Sequence, residues 1–159
     1  MQILKKQAKT EVKDKKIEGY AFLWGKDEDG DIITRQSVER TLKSKKATVF
    51  RYLHGYDLPV GKVAEWKPDD TGLAYSVELI DTPRAQEIYE IVRKGVINNV
   101  SIGARTFGAV VEENGTRIHT DIEIYEISLT EHPAREGTSA IAKSDLLEIA
   151  EIFSKWGKL

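Results

Sequence analysis

The chain has 159 residues, 40% hydrophobic and 31% charged, enough for one domain that buries roughly two thirds of its unfolded surface and too apolar to stay disordered. A formal net charge of -2 gives no general attraction to nucleic acid or anionic membranes, and the absence of cysteine excludes disulfides, thiolate metal sites and a cysteine nucleophile. No apolar run approaches the roughly 18 residues of a membrane helix, and the polar start MQILKKQAKTEVKDKK has no secretory apolar stretch, which points to a cytoplasmic protein.

In chain order, IEGYAFLW reads as a strand, followed by the acidic turn DEDGD. Asp27, Asp29 and Asp31 have calcium-loop spacing, but the glycine is out of place and Val38 stands where a bidentate Glu belongs, so a polar turn is expected. A helix over Gln36 to Lys45 carries Val38 and Leu42 one turn apart; ATVFRYL, VGKVAEW and GLAYSVELI then read as strands. TPRAQEIYEIVRKG has every helix signal: Thr82 to cap, Pro83 at the first helical position, Gly95 to stop, and Ile88, Ile91 and Val92 on one face. NNVSIGARTFGAVV and TRIHTDIEIYEISL form a hairpin, and Asn114-Gly115 suits a two-residue primed turn. At the end, Leu146, Ile149, Ala150, Phe153 and Trp156 make one helical stripe. Many strands, an antiparallel hairpin and few helices argue for an α+β or barrel-like domain over 1–143, with 144–159 as an amphipathic helix that belongs to the same domain or to a dimer contact.

No phosphate-binding glycine loop is present, and the three histidines, His54, His119 and His132, lack metal-ligand spacing, so neither a cofactor nor a metal is expected. Ser101 is one of eight serines, but Gly103 and Ala104 keep its surroundings small enough for a carbonyl carbon to approach a nucleophile; a plain strand serine beside a bulge is the alternative. A serine at neutral pH needs a base, and His54 stands where a strand meets a Gly-containing turn; a turn histidine bonded to Asp57 or backbone is the alternative. His119 reads as exposed, and His132 is held in reserve. Period-two reading of the last long strand sets Glu126 in register with Ile122, Ile124 and Ser128, a charge on an apolar face that demands a cation or donor, met by His or Arg or by a structural salt bridge.

Four segments in order, EGYAFLWGKDEDGD, LHGYDLPVGKV, NNVSIGA and YEISLTEHPA, resemble the prohead (capsid maturation) serine proteases of tailed bacteriophages, relatives of the herpesvirus assemblin-type proteases, over about residues 17 to 142. The resemblance implies a Ser-His-acid endopeptidase on a small, mostly antiparallel β-barrel flanked by helices, with Ser101 as nucleophile, His54 as base and Glu126 as the acid. It further implies Arg135 as a helper at the oxyanion, with a plain surface arginine as the alternative. The implied substrates are the major capsid protein or a scaffold protein, cleaved in the assembling procapsid in the host cytoplasm, with self-processing, a homodimer or a higher oligomer left open and no nucleic acid or membrane partner. The rival reading is a non-catalytic assembly scaffold or binding module on the same fold. The chain departs from the family pattern at Gly55, where an acid often follows the histidine, at TRQSV in place of Pro-Gly-Ala-Phe, and at Arg135 in place of Asn.

Overall fold

The alternating segments become the strands of one nine-stranded sheet in a computed structural model that describes residues 15–143 apart from 28, 54–57, 134 and 136. They are β1 (Lys16–Leu23), β2 (Gly25–Lys26), β3 (Asp31–Ile33), β4 (Val49–Tyr52), β5 (Gly61–Pro68), β6 (Gly72–Leu79), β7 (Asn99–Val111), β8 (Arg117–Thr130) and β9 (Ile141–Lys143). The helices are α1 (Glu39–Lys43), entered through a 3-10 turn at Gln36–Val38, and α2 (Pro83–Arg93). The C-terminal stripe expected over 144–159 lies outside the described residues.

The strand order is β2-β3-β8-β4-β5-β6-β1-β9, with β7 on the opposite edge of β8. Six ladders are antiparallel, and two, β3 and β4 on β8, are parallel. One edge of β8 therefore receives β3 near Arg117 to His119 and β4 near Glu126 to Leu129. Between them two threonines supply what a neighbouring strand would: Thr41 Oγ1 accepts from Ile124 N at 2.9 Å and donates to Ile122 O at 3.3 Å, and Thr48 Oγ1 donates to Ile124 O at 2.9 Å. This accounts for the orientation of α1. Thr41 is buried and Leu42, expected on the apolar face with Val38, is 37% exposed.

α2 follows its sequence signals. Thr82 Oγ1 accepts from Ala85 N at 3.2 Å, Pro83 opens the helix and Gly95 takes a left-handed φ of 70° behind it. Ile88, Tyr89 and Val92 enter the core with Ile17, Phe22, Leu73 and Val77. The hairpin between β7 and β8 differs from expectation. Gly115 alone has positive φ; its N–H donates to Glu112 O at 2.9 Å and Glu112 N donates to Thr116 O at 2.8 Å, the pattern of a three-residue loop with a glycine bulge. Asn114 instead spends its side chain, whose Oδ1 accepts from Thr116 N at 3.0 Å.

The expected β-barrel is not closed by strand pairing: among the described residues the ladders end at β9 on one side and at β2 and β7 on the other. The physical reason is the segment after β8, which runs through the gap. Ser139 N donates to Tyr20 O at 3.0 Å, while Ala140 N donates to Asn98 O at 2.9 Å and Val100 N to Thr138 Oγ1 at 3.2 Å. Gly19 permits this approach, since a Cβ there would stand 2.0 Å from Ser139 O.

Candidate active site

The site grows out of the β4-β8-β7 pairing. Ser101 on β7 lies opposite Ser128 on β8, which lies opposite Arg51 on β4; the next row on that face is Gly103, Glu126 and Val49. Rows of the other parity, Ile102-Ile127-Phe50 and Val100-Leu129-Tyr52, belong to or pack against the hydrophobic core. Ser101 and Glu126 are thus diagonal neighbours on one face of adjacent strands, within reach of long side chains. Ser101 is half-buried, Glu126 is 7% exposed and Ser128 is fully buried.

The phase of β8 differs from the period-two reading. The β7–β8 register passes from Gly103↔Glu126 to Ala104↔Ile124, so Tyr125 is an extra residue on β8. Before it Ile122 and Ile124 are in the core; after it Ile127 and Leu129 are, and Glu126 turns to the side of Gly103 and Ser128. Both Tyr125 and Glu126 then crowd Gly103, where a Cβ would meet Tyr125 Cε2 at 2.9 Å and Glu126 Oε2 at 3.0 Å. The cation that Glu126 demands includes Arg51, whose Nε is 3.2 Å from Oε1.

His54 lies outside the described residues. β4 leads toward it through Leu53, whose N–H donates to Leu129 O at 2.9 Å and whose φ of 54° is left-handed, a conformation that costs a non-glycine residue roughly 1 kcal/mol or more. Arg135 is buried. Its NH1 and NH2 groups donate to Gly25 O at 2.9 Å and Asp31 O at 3.0 Å, NH2 is 3.5 Å from Asp27 Oδ2, and the guanidinium stands 5.5 Å from the Phe22 ring centroid. Burial pulls its pKa down, and the charges of Asp27 and Asp31 oppose that shift.

A cavity of about 250 Å3 runs beside β7, facing β1 and the β2–β3 hairpin. Ala21, Ile33, Val100, Ile102 and Ile122 give it apolar walls; Asp27, Asp31, His119 and Arg135 give it a polar side, and Ser101 borders it. His119 is half-buried, not exposed as its sequence position suggests: Nε2 is 3.3 Å from Asp31 Oδ1 and Nδ1 is 3.2 Å from Thr106 Oγ1. His132 is exposed just after β8. Sequence reasoning missed Arg51, although a charge inside the apolar run VFRYL is the same kind of signal that singled out Glu126. Among the described residues no cluster of His, Asp or Glu is disposed to hold a metal, and no helix is long and apolar enough to cross a membrane.

The arrangement of these strands has the fold of viral serine proteases. The structure resembles varicella-zoster virus protease with a TM-score of 0.57 at 16% identity, covering 81% of this chain and 64% of that one. It also resembles the protease of KSHV solved with a hexapeptide phosphonate inhibitor, with a TM-score of 0.58 at 13% identity, covering 89% of this chain and 70% of that one. The chain thus spans somewhat less than two thirds of the length of the varicella-zoster enzyme. No curated protein matches the sequence. Residues 3–151 match the family described as Caudovirus prohead serine protease, and the chain belongs to that family.

Proposed function

We propose that the chain is an endopeptidase that trims capsid or scaffold proteins inside the assembling procapsid in the host cytoplasm, by a Ser101-His54-Glu126 relay. Ser101 Oγ attacks the scissile carbonyl carbon as its proton passes to the His54 imidazole; the C–N bond then breaks and the same proton goes to the leaving amine. Water repeats the sequence on the acyl-enzyme. Glu126 orients the imidazole and stabilises its charged form. Backbone amides near Ser101 are candidate donors to the oxyanion, and so is Arg135, which keeps N–H groups beyond its two carbonyl bonds in the wall of the cavity that Ser101 borders. That cavity is the site for a substrate side chain.

The observation that carries this reading is the shared face of Ser101 and Glu126 on adjacent strands, in a member of a serine protease family. The phosphonate bound by the KSHV enzyme supports a phosphorus electrophile as the probe. Wild-type protein is expected to be labelled covalently by a fluorophosphonate and Ser101→Ala is not, with cleavage of the cognate capsid protein falling by a factor of about 10⁴ or more. Equal labelling of both would refute the assignment. A folded wild type that is never labelled, even inside procapsids, would assign the chain to non-catalytic assembly instead.

A further inference from the structure

We propose that Arg51 is a positioning residue of the site, fixing the Glu126 carboxylate so that one oxygen is anchored on β4 and the other is turned toward the strand of Ser101. The inference rests on the Ser101-His54-Glu126 reading. Arg51 Nε is 3.2 Å from Glu126 Oε1, and the two side chains are only 29% and 9% exposed, so solvent screens this pair less than it does an exposed one. Oε2 sits 3.0 Å from where a Cβ on Gly103 would be, in the space that this bare glycine leaves on β7. Arg51 thus stands beside Oε1, and Oε2 lies next to the backbone two residues beyond Ser101. Arg51 is well placed for this on backbone grounds as well. It pairs with Ser128, the residue opposite Ser101, and stands three residues before His54, so one short strand supplies the cation for the acid and leads into the base. The contact uses the planar guanidinium at Nε, an orientation that a lysine point charge does not reproduce.

The test uses fluorophosphonate labelling, in which Ser101 Oγ bonds to phosphorus, the P–F bond breaks, fluoride leaves and the hydroxyl proton goes to the imidazole. Labelling rates and melting temperatures are measured for wild type, Arg51→Lys, Arg51→Gln, Glu126→Gln and the Arg51→Gln/Glu126→Gln double variant. The expected result is a maximal labelling rate lowered about 10²-fold by Arg51→Gln at unchanged probe affinity, with Arg51→Lys in between. In the Glu126→Gln background the same change is expected to cost less than about twofold, because the partner it positions is gone. A folded Arg51→Gln that labels at the wild-type rate overturns the proposal, as do losses that simply multiply in the double variant. If Arg51→Gln does not fold, Arg51→Lys decides: a wild-type rate overturns the proposal and a lowered one supports it. Failure of Arg51 alone leaves Ser101 labelled in the wild type, whereas a wild type that never labels removes the triad and Arg51's role together.

Discussion

Gly103 is where the geometry around the proposed acid is most exacting. Its missing Cβ leaves room for the ends of Tyr125 and Glu126 at 2.9 and 3.0 Å, positions that flexible side chains can vacate only by moving. Gly103→Ala is accordingly expected to fold with a loss of about 1–3 kcal/mol, read by thermal denaturation. It should lower fluorophosphonate labelling far more than that loss of stability explains, because the Glu126 carboxylate is displaced along with the Tyr125 ring. An unchanged labelling rate would show that the Glu126 carboxylate does not depend on the space at Gly103. At this scale the sequence singled out Ser101 and Glu126, and the need of Glu126 for a nearby cation was legible. The face on which Glu126 stands was not legible, since the phase of β8 is set by an extra residue at Tyr125 and nothing in IEIYEISL marks a bulge.

Among the elements, the turn between β5 and β6 is tied to β1 by one carboxylate. Asp69 Oδ1 accepts from Thr71 N at 2.8 Å and Gly72 N at 2.9 Å, Oδ2 accepts from the Tyr20 hydroxyl at 2.5 Å, and the Asp69 carbonyl accepts from Trp24 Nε1 at 2.7 Å. The Tyr20 hydroxyl first, and then the Gly72 amide, hold the Asp69 pKa below its usual value, and the same bond raises that of Tyr20. A depressed carboxyl stabilises the fold above the ordinary carboxylate value of about 4 and loses that contribution as pH falls through the depressed value. A raised phenol contributes below about 10 and loses it as pH rises through the raised value. Melting temperatures of wild type and Asp69→Asn are therefore expected to differ most at neutral pH and to converge in acid; a gap independent of pH would refute the link. The five strands of eight residues or more and α2 were readable because each carries several periods of pattern or a full set of caps, and the four-residue β4 was readable from its branched and aromatic run. β2, β3 and β9, of two or three residues, are too short to show any period, and the Asn-Gly turn was misassigned because a three-residue loop uses the same glycine.

For the whole molecule, the expectation of a barrel came from the many strands and from the family resemblance, and the way its gap is filled depends on backbone contacts that no residue pattern announces. The segment at 138–140 needs Gly19, where a Cβ would overlap Ser139 O at 2.0 Å. Gly19→Ala should push that segment off β1 and strain its bonds to Tyr20, at a cost of about 1–3 kcal/mol, or roughly 2–12 °C in melting temperature. A melting temperature equal to wild type would mean that the segment does not lean on β1. The parallel docking of β3 and β4 on β8 carries a consequence for synthesis. Asp31 and Val49 leave the ribosome long before Arg117 and Glu126, the partners they wait for, and such distant pairings form late. A nascent chain thus holds β4, with Arg51, apart from Glu126 until β8 has been made, a delay in maturation written into the order of the strands.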